Sequence, residues 1–188
     1  MIIIRIAKKV TLAVGAAVLG LGVYLGYLQL VGNFHEVIPG KFYRSAQLSP
    51  ENLGRYIDEY KIKTVINLRG GNPNAAWYRA EEAMVTEHGA KELNFEMSAR
   101  KPLGLDRTFQ LLDLMRSAEG PVLVHCRSGA DRTGFATVLY LQQIAGVDEE
   151  TAEWQLSPLF GHLNLPFLKE YAMDDTWEAF EKVIGLHS

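Results

Sequence analysis

The chain has 188 residues, a formal net charge of −3 and a single cysteine, Cys126. With 48% hydrophobic and 22% charged residues it reads as globular rather than disordered, and the length allows an ordinary domain with a real core behind an apolar beginning. The charge leaves no broad basic face for nucleic acid. A lone cysteine excludes an intramolecular disulfide and any cysteine-based zinc or iron–sulfur cluster, so Cys126 is either buried filler or a reactive thiol.

Residues 1–9 form a basic flank carrying Arg5, Lys8 and Lys9, and residues 10–31 carry no charge. At a helical rise such a run spans a hydrocarbon core of roughly 30 Å. The positive-inside rule places the N-terminus in the cytoplasm and the remainder in the periplasm or exterior, on a single-pass membrane protein. A cleavable signal peptide is the competing reading. The run is longer than a usual signal core and no clear small-x-small site follows it, which favours an uncleaved signal anchor. Tyr24, Tyr27 and Phe34 suit an interfacial aromatic belt. Gly22 and Gly26 match the GxxxG packing pattern, a weak pointer to a dimer through the membrane helix.

Residues 32–188 alternate strand and helix patterns. Phe42-Tyr43-Arg44 reads as a short strand, and Ser49-Pro50-Glu51 as a capped helix start running to Tyr60. The β-branched run 64–68 suits a buried strand. A loop over 70–74 leads to a helix over 75–88 that ends at Gly89, and 93–97 reads as another strand. Residues 105–118 repeat apolar positions at helical spacing. Val122-Leu123-Val124-His125 is a central strand, 126–132 a polar loop, and 133–145, 148–155 and 165–184 are helical. The pattern predicts an α/β three-layer sandwich with a mostly parallel sheet of four to five strands. Ligands in such sheets bind beyond the carboxyl ends of the strands, where the loop after Val124 lies.

A short loop that closes a strand and opens a helix aims consecutive backbone N–H groups at one point, and the helix N-terminus adds its positive end. Arg127, Ser128, Gly129, Ala130, Asp131 and Arg132 form such a cradle for a tetrahedral oxyanion. Gly129 permits the tight turn and Gly134 close packing behind it. Arg132 is spaced to grip two phosphate oxygens, and the same positive field favours a Cys126 thiolate in line with phosphorus. Attack by Cys126 would give a cysteinyl-phosphate that water then hydrolyses. Thr133 can hydrogen-bond the departing sulfur, and His125 orients the loop rather than acting as a base. No metal or other cofactor is needed, because backbone amides and Arg132 supply the charge stabilisation.

His125-Cys126-x5-Arg132-Thr133-Gly134 resembles the signature of the protein tyrosine phosphatase superfamily, in its small dual-specificity branch. Residues 37–47 and 64–69 are similar to that branch's bacterial and atypical members. The resemblance implies a dual-specificity-phosphatase-like domain acting on phosphotyrosine or phosphoserine/threonine in proteins. Family members carry a general-acid Asp on a separate loop, near residues 97–102 here, and no acid stands there. Asp106 and Asp131 are the candidates left. Cys-x-x-Gly-x-Asp-Arg-Thr is similar to the myotubularin-type phosphoinositide phosphatases, for which an aspartate in the loop has been proposed as the acid; Asp131 is otherwise a structural tie and Asp106 a helix cap. Arg100, Lys101 and Arg127 form either a basic rim or solvated surface charge. Tyr43, Arg44, Ser45 and Gln47 read as scaffold beneath the loop. A phosphorylated lipid or envelope glycan is the alternative substrate, and a phospho-ligand-binding module without turnover the alternative class.

Overall fold

The structure is a computed structural model that describes residues 2–186; the Arg5 side chain of the basic flank lies outside the described residues. Five short strands, β1 (His35–Ile38), β2 (Phe42–Ser45), β3 (Thr64–Asn67), β4 (Lys91–Asn94) and β5 (Val122–His125), form one sheet in the order β1-β2-β5-β3-β4. Only the β1–β2 pairing is antiparallel. The helices are α1 (Ile2–Leu30), α2 (Pro50–Tyr60), α3 (Ala76–Glu87), α4 (Leu105–Ser117), α5 (Asp131–Gln143), α6 (Glu149–Glu153) and α7 (Ala172–Ile184).

The sheet is covered on both faces, and the two-residue period of its strands explains how. Val122 and Val124 of β5 pack with α4, α5 and α7, while Leu123 packs with α2 and α3. Phe42 against Tyr43 in β2, and Ile66 against Val65 in β3, divide in the same way. Every residue of β5 is buried. The α/β sandwich read from the sequence is therefore the observed architecture. In register, Ser45 and Asn67 both stand opposite His125. Three parallel strands thus end level, and the loop after β5 emerges between the loops after β2 and β3.

Several boundaries differ from the sequence reading. β1, an edge strand of only four residues, lies outside the predicted elements. The strand expected over 93–97 ends at Asn94; Phe95 and Met97 stay extended and buried, donating to Asn67 O and Leu68 O beyond the ladder proper. The helix expected from Leu165 begins at Ala172, because Pro166 interrupts the pattern and the chain makes tight turns instead. α5 starts at Asp131, two residues early, so the end of the loop is already helical.

Lys8–Leu30 in α1 is long and apolar enough to cross a membrane, a measure that a signal sequence near an N-terminus also passes. Gly22 and Gly26 lie on its exposed surface. Its last turns pack on the α/β domain. Leu28 is buried, Tyr24 Oη donates to Leu159 O at 2.6 Å and Gln29 Nε2 to Ser128 O at 3.1 Å. The helix ends at Gly32 and Asn33, both at positive φ, with Asn33 N–H donating back to Leu28 O at 2.7 Å. Phe34 does not serve as an aromatic belt residue: its ring stacks on Tyr56 at 4.1 Å and beside Tyr43, inside the layer formed by α2.

Asn33 fastens α1 to the domain. Its buried amide donates to Ser128 O at 3.1 Å and Phe160 O at 2.9 Å, and Asn33 Oδ1 lies 2.9 Å from His35 Nε2. Replacing it by alanine leaves two carbonyls without this donor, so Asn33→Ala is expected to lower stability by about 2 kcal/mol, read as a lower urea midpoint.

Candidate active site

The loop from His125 to Arg132 joins the carboxyl end of β5 to the first turn of α5. Its shape depends on outward-turned carbonyls. Ser128 O accepts from Gln29 and Asn33, and Gly129 O accepts from Arg44 Nη2 at 2.7 Å. In a trans peptide the N–H points opposite to the carbonyl, so the Gly129 and Ala130 N–H groups turn to the other side. Gly129 has φ +72°, and a Cβ there would stand 2.6 Å from Ala46 N and 2.7 Å from Ser45 C. No larger residue fits without displacing backbone.

Arg44 lies fully buried beneath the loop, as the sequence placed it. Besides Gly129 O it reaches Gln155 O and Gln155 Oε1, both at 2.8 Å, and its guanidinium sits 4.0 Å from the Phe160 ring centre. Burial pulls its pKa down to about 9, with the Cys126 sulfur pushing the other way, so the group is a cation at neutral pH. Cys126 is buried at the bottom of the loop.

Arg132 folds back over the end of the sheet. Its Nη1 reaches Leu68 O at 3.4 Å and Met97 O at 3.3 Å, just beyond β3 and β4. Its Nε is buried and has no acceptor among the described residues, as is true of the hydroxyls of Thr133 and Ser45. A buried guanidinium N–H without an acceptor is costly, and an oxyanion held in the loop would supply one. Arg127 is exposed at the rim. Arg100 is paired with Glu170, Nε to Oε1 at 2.7 Å.

Two further networks brace the loop. His125 Nδ1 lies 3.4 Å from Cys126 O, and His125 Nε2 approaches Glu81 Oε1 to 3.2 Å at an angle too poor for a hydrogen bond. Both side chains are buried. The second Glu81 oxygen accepts from Gln47 Nε2, and Gln47 Oε1 accepts from Arg69 Nη1 at 2.6 Å. Arg69 lies 3.4 Å over the Trp77 ring, and burial lowers its pKa against the opposing charge of Glu81. Behind them burial, then the charge of Glu81, pushes Glu92 up to about 7.

The second network starts at Asp131. His162, fully buried, places Nδ1 2.8 Å from Asp131 Oδ1 and Nε2 2.8 Å from Asp174 Oδ2. Asn164 Nδ2 donates to Asp174 Oδ1 at 2.7 Å. Burial works against the imidazolium, but the two carboxylates outweigh it and push His162 up to about 9. Asp106 is exposed in the first turn of α4, whose capping position is Gly104 and not an aspartate.

A model of the tyrosine phosphatase family matches residues 25–157. The chain belongs to this family. No curated protein matches it significantly in sequence. TpbA of P. aeruginosa, solved as a cysteine-to-serine variant in complex with pTyr, is 21% identical with a TM-score of 0.60 over 80% of this chain and 91% of its own. The core catalytic domain of the S. cerevisiae PP-IP phosphatase SIW14 is 19% identical, with a TM-score of 0.59 over 81% and 93%. PTPMT1 is 14% identical, with a TM-score of 0.57 over 81% and 98%. At these identities the three structures share the fold. Family membership supports phosphatase activity.

Sequence reasoning about this phosphatase missed Glu81, Arg69 and His162 as parts of the site. Glu81 left a signal: it follows Tyr78 by three residues and precedes Val85 by four on the buried face of α3, a carboxylate in an apolar stripe. His162 left none, because its partners come from α5 and α7.

Gly129→Ala is expected to abolish anion binding, read by phosphate or vanadate titration, because the added methyl pushes the loop off Ser45 and Ala46. His162 gives a pH signature. Its folded pKa lies above its ordinary value of 6.5, so its contribution is complete below pH 6.5 and lost as pH rises through about 9. The urea midpoint should fall across that window, and His162→Gln should flatten the fall.

Proposed function

We propose that this protein is a membrane-anchored phosphatase that hydrolyses phosphate monoesters through a cysteinyl-phosphate. The reading divides it into a basic flank over 1–9, an anchor over 10–31 with its N-terminus cytoplasmic, and a catalytic domain over 32–188. The observation that carries it is the buried Arg132 Nε beside the Cys126 loop, a donor without an acceptor among the described residues. Phosphate binds to the N–H groups of residues 127–132 and to the Arg132 guanidinium. The Cys126 sulfur attacks phosphorus, and the ester P–O bond breaks with its electron pair going to the leaving oxygen. Water then attacks phosphorus and the sulfur leaves, stabilised by the Thr133 hydroxyl. His125, braced by Glu81, orients the loop.

The leaving oxygen needs a proton when it is an alkoxide, and Asp131 is the donor in this reading. Two observations support it: Asp131 is only half-buried at the end of the loop, and His162 Nδ1, 2.8 Å from its Oδ1, fixes the carboxyl in place. Asp106, exposed on α4, has no such partner in the hydrogen bonds of the described residues.

Cys126→Ser should eliminate hydrolysis of p-nitrophenyl phosphate; activity that survives would remove the cysteine mechanism. Asp131→Asn separates leaving groups. It should slow alkyl phosphates roughly 100-fold and p-nitrophenyl phosphate, whose phenolate leaves unaided, far less. An equal loss on both would assign Asp131 to tying the loop alone.

A further inference from the structure

Away from the catalytic loop, α6 and α7 bring acid together without base. Residues 145–168 contain no Lys or Arg, and Glu149 and Glu153 stand four apart on α6 and so share one face of it. α7 brings Glu181 against them. One carboxylate oxygen from each of Glu149, Glu153 and Glu181 lies within 4.8 Å of the others. Trp177 Nε1 donates to Glu153 Oε1 at 2.7 Å, and Glu181 is only 5% exposed. Glu181 Oε1 and Glu149 Oε1 are both buried, and neither has a hydrogen-bond partner among the described residues. No ion pair among the described residues reaches any of the three.

A buried carboxylate without a donor is costly, and carboxylates that face one another disfavour each other's charge. Burial, then the adjoining carboxyls of Glu153 and Glu149, pushes Glu181 up to about 8. Near neutrality the third charge therefore needs either a proton or a cation. One proton joins two oxygens and leaves the third unanswered, whereas one divalent ion answers all three. Water has an approach: a cavity of about 190 Å³ reaches Glu153 and Glu181, and its wall adds Asp174 and Glu178 but no Lys or Arg. We propose that Glu149, Glu153 and Glu181 bind a hard divalent cation of the size of Ca²⁺, its shell completed by water from this cavity, in a structural site that joins α6 to α7. The donors select the class, since carboxylate oxygens without thiolate or imidazole suit calcium, magnesium or manganese rather than zinc or copper. Their spacing suits the larger ion. Oxygens bound to one Ca²⁺ at about 2.4 Å stand up to about 4.8 Å apart, whereas Mg²⁺ at about 2.1 Å demands a tighter octahedron. The site does not depend on the phosphatase reading.

The test uses the full chain in detergent micelles, stripped with EGTA. Millimolar CaCl₂ should raise Tm by about 3 °C or more, and MgCl₂ at the same concentration by less. Tb³⁺ should bind with luminescence excited through Trp177, and Ca²⁺ should displace it. Glu181→Gln, which keeps the shape of the side chain, should lose most of the Ca²⁺ shift. Glu149→Gln, at a half-buried position where folding tolerates the change, should do the same. Glu150→Gln, exposed on the same helix, should keep the shift. If Ca²⁺ neither raises the wild-type Tm nor displaces Tb³⁺, the site is overturned and protons hold the cluster. A shift undiminished in Glu149→Gln and Glu181→Gln, or lost equally in Glu150→Gln, overturns it as well, because bulk charge then carries the effect. A Mg²⁺ shift equal to that of Ca²⁺ overturns the assignment to an ion of calcium's size.

Discussion

The arrangement depends on one constraint: the carbonyls of Ser128 and Gly129 are pulled outward by donors from outside the loop. Arg44 holds Gly129 O, while Asn33 and Gln29 hold Ser128 O. A loop of this length has no ladder of its own to fix its peptide planes. Without outside donors the planes would turn to satisfy themselves, and the inward row of N–H groups would be lost. Burying Arg44 costs several kcal/mol in desolvation, offset by its charge-assisted bonds to three acceptors and by its proximity to the Cys126 sulfur. Removing such a cation would leave Gly129 O and Gln155 O buried without it, so the loop and its brace form a single unit.

Charge is layered around that unit. Two cations, Arg44 below and Arg132 above, flank the loop, and a carboxylate backs each histidine beside it: Glu81 behind His125, Asp174 behind His162. The His162 bridge joins the start of α5 to α7, so the position of Asp131 is set by an element far away in sequence. A buried imidazolium between two carboxylates fixes the geometry of both, which makes stability and the placement of Asp131 two aspects of one interaction.

The apolar helix belongs to this picture as well. Its last turns supply donors to the same carbonyl that shapes the loop, so α1 is a wall of the site as well as an anchor candidate. A helix that merely tethers a domain has no reason to end in a buried asparagine at positive φ, clasped to Ser128 and Phe160.

The sequence by itself determined the elements whose cause is local. The alternation of Val122-Leu123-Val124, the cap at Ser49 and the uncharged run over 10–31 were legible because periodicity, capping and transfer energy act over a few residues. The spacing of Cys126, Gly129 and Arg132 was legible for the same reason, since a strand-to-helix turn of that length leaves few ways to hold an anion. Only the tertiary structure decided the partners around the loop: which carbonyl Arg44 holds beneath it, Glu81 behind His125, His162 between Asp131 and Asp174, and α1 against Ser128. These contacts span from 12 to 99 residues. A buried polar group takes whichever partner the packed fold brings within reach, and no local pattern in the chain records which one that will be.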